Sequence, residues 1–316
     1  MRWAIAVDLG ATNTRVGLVN EEGSIKEKIT APTPGAPLTA EGVGAFLVSL
    51  IRQLQSEAHP PVVGIGISAA GPVDIHQGLL VNPPNIPIRN IPLVEPLQRA
   101  FGIPVYLAND CHAGVIGEAY FGDGSGIENL AYITISTGIG GGILSGGKLL
   151  LGTKGNAVEI GHFLVDTSYN LVCGCGHPGH WERYASGRFL PDFFRAWSTK
   201  HGHAQEERYS SAQDLFRAAD RNEPVVLAFL EELGTINGRG LSDVIVAYDP
   251  ERIVLDGSVI LSNTQHILPA MIRHTDRFLP LPEIHVSQLH GDAPLLGASI
   301  LASGYQTKIG TLKLSD

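Results

Sequence analysis

The stretch from Glu159 to Ser186, EIGHFLVDTSYNLVCGCGHPGHWERYAS, restricts this chain more than any other, because four of its side chains carry metal-ligand chemistry. His162, Cys173, Cys175 and His180 offer two imidazoles and two thiols, the donors that tetrahedral zinc prefers, and a closed structural site takes four of them. The Cys-x-Cys step across Gly174 is tight, and Gly176 and Gly179 let the backbone turn back so that His180 can return to the same ion. Two cysteines alone would read as a loop with buried thiols. Two histidines flanking them in a Gly-rich knuckle favour a metal. Glu159 and Glu182 bracket the knuckle, and a metal-stapled loop would hold both, with His162, at the nearly fixed positions that polyol recognition needs.

A chain of 316 residues is too long for one compact core and fits two domains of ordinary size. With 44% hydrophobic and 17% charged residues it is globular and not disordered. A net charge of −9, with no run of Lys or Arg, argues against a nucleic-acid partner. Two of the three cysteines lie in the knuckle and Cys111 is alone, so no disulfide framework is implied and a reducing compartment is expected. The chain opens in a strand-like run without a signal peptide, and no apolar stretch is long enough to span a bilayer. The expectation is a cytoplasmic protein that does not associate with membranes.

In chain order, Ala4–Val7 reads as a buried strand, Asp8-Leu9-Gly10-Ala11-Thr12-Asn13-Thr14 as a turn, and Arg15–Val19 as a second strand, forming a β-hairpin. Such a tip can surround a phosphate with N–H and hydroxyl donors, or be a plain polar turn; no Gly-Lys-Ser/Thr follows, so it is not a Walker loop. Apolar residues from Thr39 to Ala58 recur at helical spacing, and Val62–Ser68 reads as a strand. Asn82–Pro87 is too Pro-rich for regular structure. Pro104–Ala108 is another buried strand, ending in Asn109-Asp110 before a helix from Cys111 to Tyr120. Polar residues at the carboxyl end of an internal strand are where α/β proteins bind ligands, although Asp110 could also simply cap the helix. Leu130–Ser136 leads into Thr137-Gly138-Ile139-Gly140-Gly141-Gly142, a second hairpin whose glycines let backbone approach a ligand. Helices are expected at Phe189–Lys200, Ser211–Ala219, Pro224 to about Ala247, Ile267–Leu279 and Leu295–Tyr305. Strands are expected at Arg252–Leu255, running into Asp256-Gly257-Ser258, and at Ile284–Leu289.

The run Glu-Ile-Gly-His followed by Cys-Gly-Cys-Gly-x-x-Gly-His-x-Glu-x-x-x-Ser-Gly resembles the zinc knuckle of the ROK family of sugar kinases and sugar-responsive repressors, and the resemblance extends from Asp8 to Gly297. It implies an α/β, two-domain actin-like ATPase (ribonuclease H-like) fold with an inter-domain cleft. The small domain would be 1–109 plus 297–316, and the large one 110–296. The two hairpins resemble phosphate loops, placing Asp8, Gly10, Thr12, Asn13, Thr14, Thr137 and Gly138 around ATP, with Asp8 helping to hold Mg²⁺. Gly257 and Ser258 resemble an adenosine loop, with Asp256 where the family usually has glycine. The same resemblance makes Asp110 the general base and Asn85, Asn109, Glu159, His162 and Glu182 sugar contacts. Structural Zn²⁺ would sit on His162, Cys173, Cys175 and His180, the last being a cysteine in most members. Arg89 stands where the family often has tryptophan, and Val158 where a small residue is usual.

The implied activity is transfer of the ATP γ-phosphoryl group to a hexose, glucose first, by a homo-oligomer (dimer or tetramer). N-acetylmannosamine, mannose and fructose are alternative substrates. A repressor would carry a winged-helix domain ahead of the kinase-like part, for which the few residues before the first strand leave no room. A non-catalytic, actin-like assembly protein would need neither the knuckle nor the Asn-Asp pair.

Overall fold

A computed structural model describes residues 1–34, 39–54, 60–83, 88–203 and 209–303. The strands and helices run β1 (Trp3–Leu9), β2 (Asn13–Asn20), β3 (Ile25–Pro32), α1 (Ala40–Leu54), β4 (Val62–Ala69), β5 (Val73–Asp74), β6 (Leu79–Leu80), β7 (Ile91–Pro92), α2 (Val94–Phe101), β8 (Val105–Asn109), α3 (Asp110–Phe121), β9 (Leu130–Ile135), β10 (Ile139–Ser145) and β11 (Lys148–Leu149). They continue as α4 (Trp181–Ala185), α5 (Leu190–Lys200), α6 (Ala212–Asp220), α7 (Pro224–Tyr248), β12 (Arg252–Asp256), α8 (Ser258–Arg273), β13 (Glu283–Val286) and α9 (Ala293–Ser303). Two five-stranded mixed sheets have the orders β3-β2-β1-β4-β8 and β11-β10-β9-β12-β13, and β5, β6 and β7 form a small third sheet.

The chain divides into two compact units. One comprises Met1–Leu130, Gly142–Ala157 and Asp292–Asp316; the other comprises Ala131–Gly141 and Val158–Gly291. In the first unit, β1 is apolar along nearly its whole length because it is central, antiparallel to β2 and parallel to β4. Ile5, Val7, Ile65, Ile67 and Leu107 pack with Leu47 and Ile51 of α1 in its core. Helix α9 carries small residues at its contacts for a physical reason. A Cβ on Gly297 would fall 1.8 Å from the Ala113 carbonyl oxygen of α3, and one on Gly66 of β4 equally close to Ala298 of α9, so these backbones meet only through glycine. Parallel pairing sets Asp8 beside Ser68 and Ala69 beside Asn109, so three neighbouring strands end in polar residues at one edge of the sheet.

The core of the second unit is aromatic: Phe193 meets Tyr184 and Phe229 edge-on at ring separations of 5.0 and 5.1 Å. Helix α7 spans 25 residues behind it and ends at Asp249, in the left-handed conformation with φ 43°. Two expectations are corrected here. Helix α8 opens directly at Ser258, not at Ile267, and stops at Arg273. Its first turns were hidden because Asn263 breaks the helical geometry (φ −137°), its amide instead donating to the Val259 carbonyl at 2.8 Å. Strand β3 had no apolar run to reveal it: as a sheet edge it alternates half-buried with exposed residues. No helix among the described residues is long and apolar enough to cross a membrane.

Candidate active site and metal centre

In the first unit, Asp8 is held from two sides. Arg15 donates from Nε (3.0 Å) and Nη2 (2.6 Å) to one carboxylate oxygen, and the Ser68 hydroxyl donates to the other at 2.9 Å. Arg15 also reaches Asp292, which Lys28 shares. The hairpin tip closes with Gly10 N–H on the Asn13 carbonyl at 3.1 Å and is pinned by Thr33, whose hydroxyl donates to the Gly10 carbonyl at 2.7 Å. Thr12 and Asn13 are exposed. Thr14 is fully buried and its hydroxyl is shared with Thr33 at 2.9 Å, so it shapes the turn from inside.

The helix cap belongs to Asn109, not to Asp110. The Asn109 side-chain oxygen accepts from the N–H groups of Cys111 (2.8 Å) and His112 (3.4 Å), which leaves its amide nitrogen as the group to meet a ligand. Asp110 is therefore the first helical residue, half-buried beyond the end of β8, where its Oδ1 accepts from Cys111 N–H at 2.9 Å. Asn85 lies outside the described residues.

In the second unit, Thr137 and Gly138 form the turn between β9 and β10, with Thr137 exposed and the Ser136 N–H donating to the Gly138 carbonyl at 2.9 Å. Glu182 sits against this turn: it accepts from Ile139 N–H at 3.2 Å, and a Cβ on Gly138 would lie 2.5 Å from the same carboxylate oxygen. Gly257, at φ 100°, caps α8, and a Cβ there would meet Ile135 O and Thr134 Oγ1 at 2.6 Å. The expected phosphate turn, adenosine loop and one sugar-wall carboxylate are thus neighbours at the ends of β9 and β12. Asp256, the departure from glycine, is buried and accepts from the Tyr132 hydroxyl at 2.8 Å and from Gly257 N–H at 2.7 Å, so it braces β12 against β9.

The knuckle brings its four ligands together. One donor atom from each of His162, Cys173, Cys175 and His180 lies within 4.8 Å of the others. The two Nδ1 atoms of His162 and His180 are 3.0 Å apart, and Cys175 Sγ is 3.2 Å from His180 Nδ1. Zinc–nitrogen and zinc–sulfur bonds of about 2.0 and 2.3 Å give a tetrahedron with edges of about 3.3–3.8 Å, so this donor set fits such an ion. Without an ion these groups can share only weak hydrogen bonds at such distances, whereas one cation takes a lone pair from all four. Burial, then the neighbouring His162 and His177, hold His180 below its ordinary pKa and so in the neutral ligand form. Burial, and then the side chain of Cys175, push the Cys173 thiol up. His177 is exposed and outside the cluster.

Protein contacts hold the knuckle as well. Cys173 N–H donates to the His177 carbonyl at 2.8 Å and Trp181 N–H to Phe163 at 2.9 Å. The buried Trp181 ring donates from Nε1 to Asn237 of α7 at 2.8 Å and lies where a Cβ on Gly240 would be. Arg239, also on α7, pairs with Asp166 at 2.6 Å.

Glu159 precedes a 3₁₀ turn, Ile160–His162, and is exposed. Even so, the crowding of protein atoms around it costs its carboxylate hydration and raises its pKa; Glu182 pushes the same way and His162 opposes. Ahead of it, Val158 stands at φ +69°, a conformation that glycine adopts freely and a β-branched side chain does not. Sequence reasoning missed His112. It is fully buried in α3, its Nε2 is 3.0 Å from the Ala157 carbonyl oxygen, and burial lowers its pKa to about 4, so the ring is neutral. A lone histidine within the apolar run Cys111–Gly117, two residues after Asp110, was the available signal.

Two such α/β units, with polar turns at the strand ends and a four-donor knuckle, define a sugar kinase of the actin-like fold. The ROK family model matches residues 4–304, and the chain belongs to the ROK family. It is 36% identical over 291 residues to a glucokinase of Aeropyrum pernix (89% of each chain) and 33% over 300 residues to one of Pyrobaculum calidifontis (94% of each). It is 31% identical over 301 residues to an N-acetylmannosamine kinase of Escherichia coli (95% of this chain, 98% of that one). Among solved structures, a Streptomyces griseus ROK glucokinase in complex with glucose and AMPPNP superposes with a TM-score of 0.79 at 33% identity, covering 95% of this chain and 99% of that one. A ROK family transcriptional regulator homologous to the E. coli MLC protein superposes at 0.83 and 25% identity, covering 99% and 80%.

Proposed function

We propose that this protein is an ATP-dependent glucokinase that transfers the γ-phosphoryl group to the 6-hydroxyl of glucose, with Asp110 as general base. The observation that carries the reading is the division of labour at the end of β8: Asn109 caps the helix, so Asp110 is not committed to that role. Phosphoryl transfer needs positioning and charge neutralisation more than covalent chemistry, and a carboxylate that aligns the attacking hydroxyl and takes its proton is the one acid–base group required. Asn85, Asn109, Glu159, His162 and Glu182 would hold the other hydroxyls. The tip at Gly10, Thr12 and Asn13, shaped by Thr14, and the turn at Thr137 and Gly138 would receive the phosphates; Gly257 and Ser258 would flank the adenosine.

Asp8 suits a hydrated Mg²⁺. One of its oxygens is occupied by Arg15, while the other accepts from Ser68 and, with two lone pairs, keeps capacity for a metal-bound water. His162, Cys173, Cys175 and His180 would hold Zn²⁺, which supplies a fixed crosslink and no reaction step. We further propose that the small and large domains divide the work as expected from the sequence, and that the enzyme is a cytoplasmic homo-oligomer without nucleic-acid or membrane partners.

A coupled ADP-release assay over glucose, N-acetylmannosamine, mannose and fructose tests the proposal. Glucose should give the highest kcat/KM. A preference for N-acetylmannosamine would move the enzyme to the second group of relatives, and no turnover with any of the four would refute the reading.

A further inference from the structure

We infer that His112 is a positioning residue for the sugar-binding segment that begins at Glu159, acting as a neutral Nε2–H donor on the Ala157 carbonyl. The inference rests on the functional reading above, in which Asp110 is the base and Glu159 meets the sugar.

The tautomer follows from the partner. A carbonyl oxygen only accepts, so the nitrogen 3.0 Å from it carries the hydrogen. Nδ1 is then a lone-pair acceptor, and it is buried without a hydrogen-bond partner among the described residues. An unpaired buried acceptor is costly, and a phenylalanine would fill similar space without that cost. What histidine supplies and phenylalanine cannot is the hydrogen bond to Ala157.

That carbonyl is at a sensitive place. The segment that ends there, Gly142–Ala157, is tied residue by residue to Val73–Ile75 of the same unit. Ile75 N–H donates to the Lys154 carbonyl at 3.2 Å, and the Asn156 side chain bonds the Val73 backbone in both directions, at 2.8 and 2.6 Å. His112 makes the last tie, on Ala157. The next residue is Val158 in its left-handed turn, whose carbonyl accepts from Ile160 N–H at 2.8 Å, and Glu159 lies between them. The path from base to sugar contact is thus Asp110-Cys111-His112, one hydrogen bond, and Ala157-Val158-Glu159. Val158 is confined to an uncommon conformation, so the Ala157 peptide acts on Glu159 through a single residue with little freedom of its own.

The test is steady-state kinetics of the zinc-loaded enzyme with His112→Phe and His112→Gln, whose side-chain amide can reach the same carbonyl. His112→Phe should raise the hexose KM about tenfold or more, as expected for a misplaced substrate contact, while the ATP KM stays within about twofold. His112→Gln should bring the hexose KM back to within about threefold of wild type. If the phenylalanine variant is insoluble, His112→Asn, which stays polar but falls short of Ala157, should show the same rise.

An unchanged hexose KM in the phenylalanine or asparagine variant overturns the inference. So does an equal rise in hexose and ATP KM with glutamine no better than phenylalanine, because that is general loosening. Failure of the underlying reading looks different: no hexose turnover by wild type, or wild-type turnover by Asp110→Asn, whatever happens at His112.

Discussion

Replacing Val158 first by alanine and then by glycine separates packing from backbone strain at the residue before Glu159. Val158 is only 8% exposed, and its Cγ1 would lie 3.1 Å from a Cβ on Gly141, so its methyls are well packed. Removing them in Val158→Ala should cost about 1.5 kcal/mol at about 0.8 kcal/mol per buried carbon. The further step from alanine to glycine costs about 0.5–1 kcal/mol in ordinary backbone. At φ +69° its sign reverses, because the left-handed conformation penalises any L side chain by about 1–2 kcal/mol and glycine escapes that penalty. The two terms leave glycine more stable than alanine by about 0.5–1 kcal/mol, which is about 1–4 °C in the unfolding midpoint of a domain this size. Thermal unfolding followed by tryptophan fluorescence in a Trp3→Phe background, which leaves Trp181 and Trp197 of the same unit as reporters, measures the difference on zinc-loaded protein. A glycine variant less stable than the alanine variant would refute the argument, since it would mean that Val158 does not occupy the left-handed region.

Asp110→Asn should lower kcat by several orders of magnitude, because proton acceptance and hydroxyl alignment, each worth on the order of 10²-fold, are lost together; sugar affinity measured by calorimetry should change far less, and a variant keeping a tenth of the turnover would end the assignment. His180→Cys should retain about one zinc per chain by metal analysis, whereas His180→Ala should lose zinc under mild chelation and raise the sugar KM; full zinc with unaltered KM in the alanine variant would remove His180 from the site. The Arg239–Asp166 pair gives a pH test. Although burial raises the Asp166 carboxyl, the Ser168 and Arg239 hydrogen bonds outweigh it and hold the pKa below the usual carboxylate range. Its contribution is therefore complete above that range and lost as pH falls through the lowered value. Because Arg239 is half exposed, Arg239→Gln should destabilise by only about 1 kcal/mol at neutral pH, and the gap to wild type should close in acid; a gap that widens in acid would contradict this.

The features that were legible in the sequence are those whose chemistry is local. The knuckle announces itself through residue types at short spacing, and Asn109-Asp110 through polar residues closing an apolar strand. What escaped depends on partners far along the chain or on backbone angles. No pattern shows that Glu182 bonds Ile139, 43 residues away, or that Asn109 rather than Asp110 takes the cap. Val158 could be flagged as larger than usual, but only its φ shows the left-handed backbone there. Strand β3 was hidden because its residues answer to solvent more than to a core, and the start of α8 because Asn263 interrupts the period by which helices are recognised.

The packing of α9 has a consequence for how the protein is made. This helix packs on β1 and meets β4 and α3 through backbones that touch, so the first sheet cannot complete its core without it. A ribosome delivers β1 to α3 early and α9 only after every element of the second unit has emerged. During synthesis the earliest strands wait with one apolar face uncovered, while Ala131–Gly141 and Val158–Gly291 already have all their own partners. Vectorial synthesis therefore reverses the written order: the unit that begins second can finish first. The nascent N-terminal sheet is the species that most needs protection from aggregation.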